Sequence, residues 1–518
     1  MKVHFRFVNN NKIYYITLLI VFLLITLPYT SRILSIKEYE HNQNNCLHMV
    51  IDCRNHKNVF SNYGEINCGP IPNPNVDGVD LTNQFKLTGF NFVRNHDFSG
   101  PTDISMIFPD MSTDPLNPAN YNFAVSDHYI SKIIEANCSV FYRLGESAST
   151  NASLRRPPEN VSKWAEICKH IVMHYNDGWA DGFSYNISYW EIWNEPDLTG
   201  FWNGTSEQYF ELYKETAVSL KQYNPDLKIG GPCTSSISNK NFTTGFLTYV
   251  KEENIPLDFF SWHMYANTPF QLYNGSKYVR DLLDSFELYT VENINTEWNY
   301  NILSPQRDKD NAKNAAFTAY CLSAFQKAGI DKAFRYRATQ DNNPLSRFIG
   351  FDLSLFTSKG EFKKPALSYL AINYLIDQTP IQLDTSPITE NGQRNLIAGI
   401  SDDSTNISLL LSNFDAKKWT ISINFEESLP WNESCIVAVY SIDDEHDFQI
   451  IDQYEINPKS FIFNLTSAAP SVYFVRITNS SVLPPEGPVT AEIPFFLRLP
   501  FFDPLAKILG FLLLLLFF

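Results

Sequence analysis

Tyr189-Trp190-Glu191-Ile192-Trp193-Asn194-Glu195-Pro196-Asp197 reads as a short β-strand with an abrupt stop. Trp190 and Ile192 share one face of an alternating pattern. Pro196 has no donor, so pairing ends just after Asn194 and Glu195. A helical pattern follows over Ser206–Tyr223, then a strand-like run at Lys228–Gly231. The same alternation extends in both directions. Strands are predicted at Gly89–Arg94, Ser139–Leu144, Phe259–His263, Tyr289–Thr296 and Ala333–Ala338, with a first one near Gly64–Cys68. Helical stretches between them include Asp127–Ala136, Val161–Tyr175, Thr244–Glu253 and Asp310–Lys327. Eight βα units predict an α/β fold, a (β/α)8 TIM barrel over residues 36–375, whose strand C-termini carry the chemistry.

After Leu375 the texture changes. Runs such as Asn406–Ser412, Trp419–Phe425, Cys435–Ser441 and Ser471–Thr478 alternate without intervening helices, which predicts a smaller antiparallel β-sandwich over 376–480. Residues 1–35 place Lys2, Arg6 and Lys12 before an apolar run from Ile13 to Leu27, the pattern of a secretory signal. That run is about 15 residues, short of the ~20 that span a bilayer, which favours a cleaved signal over a signal-anchor. Asn-x-Ser/Thr acceptors occur at Asn137, Asn151, Asn160, Asn186, Asn203, Asn241, Asn274, Asn406, Asn432, Asn464 and Asn479. Residues 481–518 form a Pro-rich spacer and an apolar tail that reads either as a lipid-anchor signal or as an incidental apolar end. These marks predict a glycoprotein of the secretory pathway, extracellular, at the cell surface or lysosomal, with membrane attachment through either end left open.

The chain has 518 residues, 44% hydrophobic and 15% aromatic, with 56 acidic against 40 basic side chains and a net charge of -16. Apolar content on that scale excludes general disorder, and the acidic balance excludes nucleic acid as a partner. Eight cysteines without a CxxC pair or an interleaved histidine pattern exclude a zinc site. In an oxidising compartment disulfides are expected among Cys46, Cys53 and Cys68, whereas Cys168 and Cys321 read as buried thiols. Nothing in the composition sets an oligomeric state.

Chemistry concentrates in two carboxylates. Glu195 ends one strand beside an amide and bulky aromatics, where partial desolvation raises a carboxyl pKa and suits a general acid. Glu292-Asn293-Ile294-Asn295-Thr296-Glu297-Trp298-Asn299 places Glu297 at the end of a second strand, 102 positions on. At about 34 residues per βα unit, that is three units: strand four against strand seven, facing each other across a barrel. Two carboxyls so placed can flank one glycosidic bond. A spacing of ~5–5.5 Å makes the second a nucleophile, and ~6.5–9.5 Å admits a water and inverts. No cofactor or metal is implied. Glu191, of the same strand parity as Glu195, reads as structural, and Trp190 as core.

Trp193-Asn194-Glu195-Pro196 and Thr296-Glu297-Trp298-Asn299 resemble the acid/base and nucleophile motifs of glycoside hydrolase family 39, which includes β-xylosidases and α-L-iduronidases. The resemblance covers roughly residues 60–375. It extends to Val93-Arg94-Asn95-His96, Lys228-Ile229-Gly230-Gly231-Pro232, Ser261-Trp262-His263-Met264-Tyr265, Gly350-Phe351 and Lys364-Pro365-Ala366. It implies Glu195 as general acid/base, Glu297 as nucleophile and Asn194 as a hydrogen-bonding partner of the sugar 2-hydroxyl. It also implies that Tyr265 orients Glu297, while Arg94, His96 and His263 line the sugar subsite. For Arg94 a barrel-interior ion pair stands beside that role, and for His96 and His263 a core position. Trp298 and Trp202 read equally as stacking platforms or core. Phe334-Arg335-Tyr336-Arg337 departs from the xylosidase pattern, and Arg337 or Arg335 could clamp a uronate carboxylate. The reading is therefore a retaining O-glycosidase, most like a β-xylosidase acting on an oligosaccharide or glycoside. The alternatives are an α-L-iduronidase-like enzyme and a non-catalytic carbohydrate-binding surface protein.

Overall fold

A computed structural model describes residues 46–72, 78–96, 100–147, 151–339, 351–385, 393–414, 419–426, 434–457, 462–467, 470–479 and 483–492, with Leu429 and Trp431. The secretory-signal segment, Asn432 and the apolar tail lie outside the described residues. Among those described, no helix is long and apolar enough to cross a membrane.

Strand β1 (Cys46–Val59) precedes eight βα units. These run β2 (Glu65–Asn67), α1 (Thr82–Thr88), β3 (Phe92–Arg94), α2 (Ala124–Glu135), β4 (Ser139–Leu144), α3 (Val161–Asp177), β5 (Tyr189–Ile192), α4 (Ser206–Tyr223), β6 (Lys228–Thr234), α5 (Lys240–Glu252), β7 (Phe259–Ala266), α6 (Pro269–Ser285), β8 (Glu292–Tyr300), α7 (Ala312–Phe325), β9 (Lys332–Arg335) and α8 (Lys364–Gln378). β2 to β9 pair in parallel in chain order and close, β9 against β2. The expected TIM barrel is borne out. Helix boundaries follow local chemistry. α4 begins with a reciprocal capping box between Thr205 and Gln208, and α3 ends at Gly178, whose φ of 74° suits a residue without Cβ. The segment Asn267–Ser276 is largely the first part of α6.

Inside the barrel, Phe141, Tyr189, Phe259, Ile294 and Phe334 pack one apolar layer. Side chains alternate along a strand, so the residue two positions beyond an inward one also points inward. Two beyond Phe92 is Arg94, two beyond Tyr189 is Glu191, and both are fully buried. The barrel is thus oily in one layer and ionic in the next, toward the strand C-termini.

Among the described residues nine strands form the second sheet: β1, β10 (Ile381–Thr385), β11 (Arg394–Ile400), β12 (Asn406–Asn413), β13 (Trp419–Glu426), β14 (Cys435–Ile442), β15 (Asp447–Ile456), β16 (Ile462–Ser467) and β17 (Ser471–Thr478). Its order is β15-β14-β17-β12-β11-β10-β1-β13-β16. The sheet curls around its own core of Ile51, Leu383, Leu396, Leu409, Val437, Phe463 and Val475, in line with the expected sandwich. Two features differ from the sequence reading. The leading strand β1, counted with the barrel, pairs with β10 and β13 of this sheet, and its pairing with β13 is parallel in an otherwise antiparallel array. Chain order does not reveal which sheet a leading strand will join. The sheet meets the barrel along α7 and α8, where the Ser412 hydroxyl donates to the Ala316 carbonyl at 2.6 Å and Lys364 pairs with Asp447 at 2.8 Å.

Of the cysteines expected to pair, Cys53 is a buried thiol outside any disulfide. The Cys68 thiol points at the His96 carbonyl at 3.4 Å. Cys168 and Cys321 are buried thiols, as expected.

Candidate active site

β5 stops at Ile192, and the next residues turn sharply. Trp193 and Glu195 adopt left-handed backbone conformations, φ 73° and 46°, which cost non-glycine residues on the order of 1–3 kcal/mol and persist only where surroundings enforce them. The enforcement is visible. Glu195 N–H donates to the Cys233 carbonyl at 3.0 Å. Asp197 accepts from Ser235 N–H and its hydroxyl, both at 2.8 Å, and from the Thr234 hydroxyl at 3.1 Å. The turn carrying Glu195 is therefore tied to the end of β6.

Glu297 arrives from β8. The β7–β8 register shifts between Trp262 and His263, after which His263 lies opposite Glu297, and such irregularities re-aim side chains at barrel rims. Tyr265 donates its hydroxyl to Glu297 Oε2 at 2.7 Å, Arg94 Nη1 donates to Oε1 at 3.0 Å, and His96 Nε2 lies 3.6 Å from Oε1. His263 Nδ1 is 2.7 Å from Glu195 Oε1 and 3.7 Å from Glu297 Oε2. Glu195, His263 and Glu297 each bring one polar atom within 4.8 Å of the other two. The adjacent guanidinium already supplies positive charge, so the trio fits a carboxylate pair bridged by an imidazole better than a cation site.

The two carboxyls sit in different fields. Burial pushes Glu195 up to about 8, with the charge of Asp197 adding and Arg94 opposing. Burial and the Glu195 charge also raise Glu297, but His263, Arg94 and the Tyr265 hydroxyl pull it back. At neutral pH the pair favours a protonated Glu195 beside a hydrogen-bonded Glu297 carboxylate. Burial, then Arg94 and Arg143, hold His96 well below the usual imidazole range. Burial lowers His263 as well, with the Glu297 charge opposing.

Beneath the carboxylates lies Arg94, fully buried. Its Nε donates to Glu191 Oε2 at 2.7 Å, Nη1 also to Asn67 Oδ1 at 3.0 Å, and Nη2 to Asn194 Oδ1 at 2.7 Å. Arg94 thus holds Glu297 and Asn194 rather than lining a sugar subsite, because its donors are taken up inside the barrel. With Asn194 Oδ1 anchored in this way, Asn194 Nδ2 is buried and has no hydrogen-bond partner.

A family profile described as glycosyl hydrolases family 39 matches residues 68–447. The chain belongs to this family. The sequence resemblance is thereby borne out. A β-xylosidase from Geobacillus stearothermophilus is 27% identical to this family 39 chain over 268 residues, covering 45% of it and 52% of that relative. The chain thus spans about half the length of that curated relative. A solved glucosidase from Croceicoccus marinus matches with a TM-score of 0.72 at 23% identity, over 85% of this chain and 100% of that one. A monomeric β-xylosidase from Caulobacter crescentus CB15 gives 0.67 at 16%, over 83% and 99%. These likenesses carry the fold.

In this family 39 chain several expected residues face elsewhere. Trp298 follows the inward Glu297 and so points outward. Its indole donates to the Ala333 carbonyl at 2.9 Å and packs 5.4 Å from Phe325 of α7, which corrects its reading as a sugar platform. Arg335 is also outward, 5.2 Å from the Trp298 ring and bonded to Thr318 at 2.6 Å, with its pKa lowered to about 10 by burial. It is no carboxylate clamp. Arg337 is buried, 5.7 Å from the Tyr336 ring, and its charge is among those depressing His96. Trp202 is core, its indole donating to the Thr205 carbonyl at 2.9 Å. Glu191 is structural, as its parity indicated.

Three site residues escaped sequence reading: Asn67, Arg143 and Cys233. All lie at the C-terminal ends of barrel strands, and that position was the available signal. Arg143 donates Nη2 to Asp103 at 2.8 Å and Ser147 at 3.0 Å, while its buried Nε and Nη1 have no partner.

Proposed function

We propose that this protein is a retaining glycoside hydrolase that cleaves O-glycosidic bonds with Glu297 as nucleophile and Glu195 as acid/base, most like a β-xylosidase. The observation that carries the reading is the Glu195–Glu297 pair, with oxygens within 4.8 Å and unequal proton affinities. Nearest oxygens that close fit the shorter carboxyl separation of retaining enzymes better than the wider one that admits a water. Glu297 attacks the anomeric carbon while Glu195 gives its proton to the departing oxygen, forming a glycosyl ester. Glu195 then removes a proton from water, the hydroxide adds to the anomeric carbon, and Glu297 leaves as carboxylate. Asn194 Nδ2 is a buried donor awaiting a hydroxyl on the sugar, a contact that strengthens as the oxocarbenium-like transition state forms. Replacing Glu297 with Ala should abolish turnover of aryl glycosides, and azide should restore it in part with a glycosyl azide as product. Loss of activity without that product would overturn the nucleophile assignment.

A second reading, an α-L-iduronidase-like enzyme, is favoured by Arg143 and Arg337, whose charges converge on His96. A carboxylate on the sugar would suit the open Nε and Nη1 of Arg143. Rates on aryl xyloside against aryl iduronide decide between the two.

The secretory reading is supported by surface placement. Of the ten described glycosylation acceptors, nine are exposed and Asn406 is half-buried, whereas Asn67, Asn95, Asn293, Asn299 and Asn395, outside any acceptor motif, are buried. Enzymatic deglycosylation of the protein from its native source should increase its gel mobility. Unchanged mobility would refute a glycosylated, secreted form.

A further inference from the structure

Gly230-Gly231-Pro232-Cys233-Thr234 closes β6 against its neighbour strand. A Cβ at Gly230 would come within 2.3 Å of the Phe259 carbonyl, so glycine allows the close approach. Cys233 follows with a left-handed φ of 55°, which turns its fully buried thiol under the carboxylate pair. Cys138, by contrast, points at the Phe90 carbonyl outside the site. Cys233 Sγ lies 3.1 Å from His263 Nε2, 3.1 Å from Arg94 Nη2, 3.3 Å from Asn194 Oδ1 and 3.7 Å from the Thr296 hydroxyl. One sulfur therefore touches the imidazole that serves Glu195, the guanidinium that serves Glu297, and the amide whose Nδ2 awaits a sugar hydroxyl.

The chemistry of a thiol suits this position. It offers one weak donor and a weak acceptor. It accepts from Arg94 and can serve either tautomer of His263, donating to a bare Nε2 or accepting from a protonated one. The other ring nitrogen then fits Glu195 in either state: Nδ1–H donates to the carboxylate, or bare Nδ1 accepts from the acid. We propose that Cys233 is a positioning residue for the acid/base step, holding the His263 ring so that Nδ1 bonds Glu195 both protonated and ionised. This rests on the two-glutamate reading above. The groups facing Glu195 are His263 and Tyr265 from β7, Asp197 from its own loop, Arg94 from β3 and Glu297 from β8. Those facing His263 are Glu195, Glu297, Glu191, Asp197, Arg94, His96 and Cys233 itself.

The test compares Cys233→Ala and Cys233→Ser with wild type. Removing the thiol leaves Nε2 without its partner and admits water beneath the pair, which weakens the desolvation that holds Glu195 high. In Cys233→Ala the alkaline limb of kcat/KM should move to lower pH. Turnover should fall about tenfold on substrates with poor leaving groups and within about twofold on good ones, because only the former need the acid. Cys233→Ser, which keeps a donor and an acceptor, should recover most of both effects. A readout independent of turnover is the infrared band of the protonated carboxyl that disappears in Glu195→Gln. Its titration midpoint should drop in Cys233→Ala. A folded Cys233→Ala protein with an unmoved band and midpoint, or a Cys233→Ser protein no closer to wild type, overturns the positioning role. A shifted band in a protein that hydrolyses no glycoside upholds the positioning and rejects the hydrolase reading instead.

Discussion

Glu195 and Glu297 bring carboxylate oxygens within 4.8 Å of each other, although one follows the fourth barrel strand and the other lies in the seventh. Two ionised carboxylates at that distance repel strongly, so the ground state keeps one proton between them. Burial and Asp197 place that proton on Glu195, while Arg94, His263 and Tyr265 favour charge on Glu297.

The pH dependence follows from this. Glu195 must be protonated to act as an acid, so hydrolysis of substrates with poor leaving groups should fall as pH rises through about 8. In Glu195→Ala that limb should vanish, and activated aryl glycosides should be spared far more than alkyl ones. Equal losses on both classes would reject the acid role.

The same proton has a stability consequence. A carboxyl whose folded pKa exceeds its unfolded value favours folding fully at low pH, and that contribution is lost as pH rises toward the folded pKa. For Glu195 the window runs from about 4.3, the unfolded reference, to about 8. Glu195→Gln cannot ionise, so it should melt above wild type at pH 8 and level with it at pH 4. Calorimetry over that range checks the sign.

Tyr265→Phe removes one hydrogen bond to Glu297 at 2.7 Å. Bonds to charged groups contribute about 1.5–3 kcal/mol, so kcat/KM should drop roughly 10- to 100-fold. The lost bond favoured the ionised form of Glu297, so the acidic limb should move to higher pH. A fall in rate with an unmoved limb would point to misplacement of the substrate instead.

Arg94→Met leaves Glu191 and Glu297 buried without their cation. Breaking a buried ion pair from one side costs about 3–5 kcal/mol. The variant should be markedly less stable at neutral pH and partly recover as acid neutralises both carboxylates. Denaturant midpoints at two pH values measure this.

Trp298→Ala separates a core indole from a sugar platform. Because the ring packs on Phe325 and Arg335, the change should cost about 3–5 kcal/mol of stability, with KM of the folded fraction held within about twofold. A large KM effect in a stable protein would restore the platform reading.

Much of this molecule was legible from local pattern. The barrel follows from alternation of period two with helical period, and both glutamates were recognisable near the ends of β-rich runs, Glu195 just before Pro196 and Glu297 late in a strand that continues to Tyr300. These signals are short-range, carried by propensity and a missing donor, so they survive without tertiary knowledge. Tertiary structure alone decided which side chains face which way. Trp298 and Arg335 flank the site in sequence yet point into the helical layer, Trp298 because the register shift in β8 turns Glu297 inward and Arg335 because it alternates with inward Phe334 in β9. Cys233 carries no local signal of its own, and only β6 brings it under the pair. The leading strand Cys46–Val59 preceded the barrel in the chain but joined the other sheet, since strand partners are chosen by long-range pairing and not by order. The sequence alone determined that two carboxylates would lie toward the C-terminal ends of barrel strands. Only the closed barrel, by burying Glu195 beside Asp197 and setting Arg94, His263 and Tyr265 against Glu297, made the two unequal.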